Sequence, residues 1–98
     1  MTVQTVRFRT SPEHADSAVE QITALFDAVH AAAPEGMKYL ALRDGDEPAF
    51  TLILKLPDGS ENPLPAIPEA AAFREWLPHH TFDDPRPRAC TVLGWYSA

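Results

Sequence analysis

The segment AFTLILKL, residues 49–56, alternates in a way that few folds can accommodate. In an extended chain Phe50, Leu52, Leu54 and Leu56 fall on one face, and Thr51, Ile53 and Lys55 fall on the other. The first face is wholly apolar and the second is apolar in part, so a sheet built on this strand wants cover on both sides. One layer of helices covers one side only. The pattern therefore predicts helices on one face of a sheet and a second copy of the chain against the other.

The neighbouring segments supply the remaining elements. MKYLALR, residues 37–43, precedes AFTLILKL by the turn-rich DGDEP, a connector of hairpin length, so the two should pair antiparallel. VQTVRFR, residues 3–9, sets Val6 and Phe8 opposite Arg7 and Arg9, the period of a half-buried strand. Thr10-Ser11-Pro12-Glu13 offers a hydroxyl cap with Glu following and Pro just inside, so a helix should open there. Ala15, Ala18, Val19, Ile22, Phe26, Val29 and Ala33 then recur at three and four residues as one apolar stripe, which Pro34 and Gly36 close.

After Leu56 the stretch PDGSENPLPAIPE is too rich in proline and turn residues for regular structure, and it predicts an ordered loop of roughly a dozen residues. Pro68 opens a second helix carrying Phe73, Trp76 and Leu77, and Pro78 stops it or starts a new turn. ACTVLGWY, residues 89–96, reads as a last strand, with Cys90 a small buried hydrophobe within it. The order strand, helix, strand, strand, helix, strand is the ferredoxin-like α+β arrangement βαββαβ. It predicts a single domain over residues 1–98, a four-stranded antiparallel sheet with two helices on one face, dimerising through the sheet.

Charge and composition exclude several functions. The formal net charge is −6, with eight basic residues scattered along the chain, which argues against a nucleic-acid partner. No apolar run has the length of a membrane span, and MTVQTVRFRT does not read as a signal peptide, so a cytoplasmic location is expected. Arg7 and Arg9 read as a solvated strand edge or as a local anion contact. There is no Gly-rich phosphate loop, CxxC pair, serine elbow or HExxH.

The chain resembles the dimeric α+β barrel superfamily, and within it the antibiotic biosynthesis monooxygenase-like proteins. The resemblance rests on the length near one hundred residues, the passage from Thr10 to Leu56, and the short second helix ending in EWLPHH. It implies a homodimer that pairs sheet to sheet, with a pocket between sheet and helices in each subunit. It also implies, for some members, oxygenation of polycyclic phenols without a cofactor, the substrate carbanion itself reducing dioxygen. A haem-degrading branch uses an Asn on the first strand with a Trp and a His from the second-helix region. Here the first strand carries Gln4, and Trp76 stands only three and four residues from His79 and His80, which departs from that branch.

The stretch REWLPHHTFDDPRPR, residues 74–88, holds the most suggestive side chains. Adjacent histidines point about 100° apart on a helix, so His79 and His80 are poor partners for one metal ion, and no metal is expected. They read either as a helix-end cap favoured by the dipole or as a general base for a phenol or activated carbon. In the second reading Trp76, Tyr39 and Trp95 wall the pocket and Asn62 donates an amide hydrogen to the substrate. His30 reads as an edge-of-core histidine or a pocket-lining one, and His14 as a solvent residue. Two functions stay open: a cofactor-independent monooxygenase acting on an aromatic or quinone-like molecule, and a non-catalytic dimer that binds a small hydrophobic ligand or serves as an accessory subunit.

Overall fold

The computed structural model describes residues Met1–Ala98. The chain runs β1 (Thr2–Arg9), α1 (Ala15–Ala32), β2 (Lys38–Arg43), β3 (Ala49–Leu56), α2 (Pro68–His80) and β4 (Arg88–Cys90), with single 3-10 turns at Pro12–His14 and Leu64–Ala66. The four strands form one antiparallel sheet in the order β2-β3-β1-β4. This is the expected ferredoxin-like arrangement.

Register sorts the inner face into cross-strand rows. Arg43, Phe50 and Phe8 make one row, Ala41, Leu52 and Val6 the next, and Tyr39, Leu54, Gln4 and Ala89 the next. Phe8 and Phe50 stack with centroids 5.2 Å apart, and Phe73 of α2 meets Phe8 edge-on at 6.0 Å. Ala18 and Leu25 of α1 and Phe73 and Leu77 of α2 share one buried cluster with Phe8, Phe50 and Leu52. Both helices therefore lie on the same face.

Several expectations need correction. The stripe of α1 holds at Ala15, Ala18, Ile22, Phe26 and Val29, but Leu25 also belongs to it, with 1% exposure, while Val19 is 39% exposed. The hydroxyl cap does not form, because Ser11 Oγ bonds to His14 Nδ1 at 2.8 Å and a 3-10 turn precedes the helix. The last strand stops at Cys90 rather than reaching residue 96. β1 begins at Thr2, so the register with Val3 opposite Cys90 runs out of partner almost at once, and the tail instead lays Trp95 over Lys55 and Lys38. Cys90, on this edge strand, is exposed rather than buried.

Local chemistry explains the remaining boundaries. Ala33 ends α1 in the left-handed region, at φ 46°, with its N–H on the Val29 carbonyl, and the following Pro34 disfavours further helix. Gly36 also has positive φ, and a Cβ there would lie 2.9 Å from the Pro57 ring, so the turn into β2 requires glycine. Pro78 neither stops α2 nor starts a separate turn; the helix continues to His80. Arg43 donates to the carbonyls of Asp46 and Glu47 and closes the β2–β3 hairpin.

The contrast between Leu25 and Val19 makes a direct prediction. Leu25→Ala should cost about 3 kcal/mol by opening a cavity in the core. Val19→Ala, which removes a largely exposed side chain, should cost less than about 1 kcal/mol. Urea unfolding of the two variants measures the difference.

Candidate functional site

The inner face is filled at its aromatic end and thin at the other. At the stacked phenylalanines two large rings fill the row, but the row of Tyr39, Leu54, Gln4 and Ala89 carries one amide and one small side chain where a core would carry bulk. A cavity of about 90 Å³ opens there, between the sheet and α2. Val6, Leu52 and Leu54 form its sheet side, and Leu25, Ala70, Phe73 and Leu77 form its helical side. Leu64 and Asn62 reach it from the proline-rich loop, and Pro85 and Pro87 from the segment before β4.

Four polar side chains border this apolar space: Gln4, Tyr39, Asn62 and Arg74. Asn62 Oδ1 accepts from the Leu64 backbone N–H at 3.0 Å, which fixes the amide and leaves its NH₂ to donate elsewhere. Tyr39 stacks on Phe26 of α1 at 4.8 Å, and burial pushes its phenol up to about 12, so it is a neutral donor at physiological pH. Arg74 is the one cation of the lining and has no acidic partner within the chain. It is exposed, and so stands at the mouth. There Asp84 bonds Arg86 through backbone and side chain, at 3.1 and 2.7 Å, bracing the turn that carries Pro85 and Pro87. The Arg86 guanidinium holds the Asp84 carboxyl below the usual carboxylate range.

The other candidate residues lie elsewhere. Trp76 and His80 stack in parallel at 4.3 Å, and His80 Nδ1 donates to the Trp76 carbonyl at 2.8 Å, satisfying a carbonyl of the last helical turn. His14 packs edge-on against His80 with centroids 5.3 Å apart, so it is half-buried rather than a solvent residue. His79 is exposed. Neither His79 nor His80 lines the cavity, nor does Trp76. His30 is exposed beside a shallow surface recess at the end of α1, with Phe26 and Tyr39, and Trp95 lies over Lys38 and Lys55. No three His, Cys, Asp or Glu side chains converge on one point.

Of the residues singled out in the sequence, the structure brings Tyr39 and Asn62 together in the cavity. Gln4 and Arg74 join them without having been anticipated as site residues. Gln4 had a signal, since it occupies the same strand face as Val6 and Phe8, where an amide is out of place unless it has a task. Arg74 had none, because an arginine on a short helix reads as solvated surface.

Comparison with protein-family models and with curated proteins gives no match. Among solved structures the chain is similar to a crystal structure of an antibiotic biosynthesis monooxygenase, with 16% identity, 96% of this chain and 100% of that chain covered, and a TM-score of 0.67. It is also similar to Rv0793 from Mycobacterium tuberculosis, with 15% identity, 98% of each chain covered, and a TM-score of 0.73. At these identities the likeness establishes a shared, antibiotic biosynthesis monooxygenase-like fold over nearly the whole chain.

The Tyr39 environment yields a pH prediction. The folded chain keeps this phenol protonated up to about pH 12, whereas its ordinary value is 10.0. The contribution to stability is therefore complete below pH 10 and lost as pH rises through 12. Thermal melts should show Tm falling in that window, and Tyr39→Phe should remove most of the fall.

Proposed function

We propose that the cavity binds a small aromatic molecule with an acidic oxygen, and that the chain oxygenates it without a cofactor. The observation that carries this reading is an apolar cavity bordered by one unpaired guanidinium and three neutral donors, Gln4, Tyr39 and Asn62. Arg74 and the Asn62 amide favour the phenolate over the phenol, whose proton leaves to solvent at the mouth. The phenolate ring carbon passes an electron to dioxygen and recombines with it, giving a hydroperoxide. Loss of water then leaves a carbonyl at that carbon. One oxygen atom of dioxygen ends in the quinone and the other in water, which takes the ring and hydroxyl hydrogens of the phenol. The likeness to a monooxygenase fold supports the reaction class by analogy.

In this reading the polar residues of the cavity hold the developing anion, and the imidazoles at the end of α2 shape the helix terminus. Oxygen uptake with dihydroxybenzene and dihydroxynaphthalene substrates tests it. Arg74→Ala should lower turnover by about 100-fold, and the His79→Ala/His80→Ala double variant should retain it. Turnover lost in the histidine variant and kept in Arg74→Ala would return the base role to His79 or His80. A second reading, a non-catalytic ligand-binding protein, draws on the small size of the cavity and the absence of an imidazole from its lining. Ligand binding without oxygen uptake would establish it.

We further propose that the protein works as a homodimer closed through the open sheet face. Leu40 and Leu42 are exposed there, Ile53 and Val3 are half-covered, and the tail adds exposed Val92, Leu93 and Tyr96. Desolvation, and then the Lys38 charge, lowers the Lys55 ammonium on this same face. A second copy would bury these groups as the first layer of helices buries the other face. Sedimentation should find a dimer at micromolar concentration, and removal of residues 91–98 should weaken it. A monomer at every concentration would refute the assembly.

A further inference from the structure

The cavity is small for the polycyclic phenols that this fold suggests. Its volume is about 90 Å³, whereas an apolar cavity of about 150 Å³ holds benzene and pockets for larger ligands begin near 300 Å³. The walls have little room to recede. Leu25 and Leu52 are each 1% exposed and belong to the cluster fixed by the Phe8–Phe50 stack, so a ligand gains space only towards the mouth. That direction leads to Arg74, the unpaired cation, and to a proline-bearing turn braced by the Asp84–Arg86 pair. No acidic residue lines the space.

We infer that the site selects a single aromatic ring carrying an ionised oxygen group, with the ring held between sheet and α2 and the anion at Arg74, and that it rejects fused polycycles. The inference rests on the ligand-binding reading above and narrows it in two respects, ring number and charge. Both follow from the geometry: a second fused ring collides with a rigid leucine wall, and a neutral ring leaves the Arg74 guanidinium without a partner. Bidentate pairing with a carboxylate is the contact that a guanidinium makes best.

Calorimetric binding to the full chain tests both respects with three probes: a dihydroxybenzoate, a hydroxynaphthoate and neutral hydroquinone. The dihydroxybenzoate should bind at least about tenfold more tightly than either of the others. Arg74→Ala should weaken it by about tenfold and leave hydroquinone unchanged, with Arg74→Lys intermediate. Equal or tighter binding of the hydroxynaphthoate would overturn the single-ring limit while leaving aromatic binding intact. An equal loss for hydroquinone and the benzoate in Arg74→Ala would overturn the charge assignment. Failure of all three to bind the folded protein would overturn the inference and the ligand-binding reading together.

Discussion

The stack of Phe8 on Phe50 is the contact on which the rest of this structure depends. It joins the two central strands on the inner face, and Phe73 closes over it edge-on, so that one aromatic group fixes the sheet and the height of α2 above it. Aromatic pairs of this kind contribute about 1 kcal/mol beyond the area they bury. Their structural effect is larger than that energy, because they set a bulky spacer at one end of a face whose other end carries Gln4 and Ala89. A rigid helix held off the sheet at one end leaves a gap at the other. The cavity is that gap.

The same geometry explains why the polar groups collect there. A glutamine on the inner face of β1 is tolerated only where it is not sealed into apolar core, and no buried side-chain polar atom in the chain lacks a partner. Asn62 arrives because the proline-rich loop passes over the open end of the sheet, held by its own bond to Leu64. Arg74 arrives because it follows Phe73 by one residue and precedes Leu77 by three, bringing its guanidinium to the edge of the face they bury. A cation, two amides and a protonated phenol around an apolar space suit an aromatic anion better than a neutral ligand. No helix is long and apolar enough to cross a membrane.

Much of the fold was legible because alternation and turn chemistry are local. The inner face of AFTLILKL, the DGDEP hairpin and Pro68 at the start of α2 all follow from neighbours a few residues apart. Expectations failed where the deciding partner was distant. The tail has the β-branched and aromatic composition of a strand, but β1 offers it no further register, and cation–π contacts with two lysines draw it across the sheet instead. Leu25, seven residues after Ala18 and three after Ile22, falls on the apolar stripe by periodicity; what periodicity does not specify is that Val19 at the edge of the stripe stays 39% exposed. Pro78 looked like a terminus, yet within the last turn of the helix its missing N–H leaves only the Arg74 carbonyl without a helical donor, and α2 runs on to His80. Within the site, Tyr39 and Asn62 were legible as aromatic and amide chemistry, and Gln4 carried a signal as an amide on an apolar strand face; Arg74 gained meaning only from the residues placed around it.

The space between the sheet and α2 is the proposed seat of the ligand. An NMR titration of the isotopically labelled protein with a dihydroxybenzoate tests it most directly. Saturable shifts are expected at the methyl groups of Leu25, Leu52 and Leu54 and at the Asn62 side-chain amide, with the His79 and His80 rings unaffected. Shifts confined to the histidine end of α2, or to Leu40 and Ile53 on the open face, would contradict it.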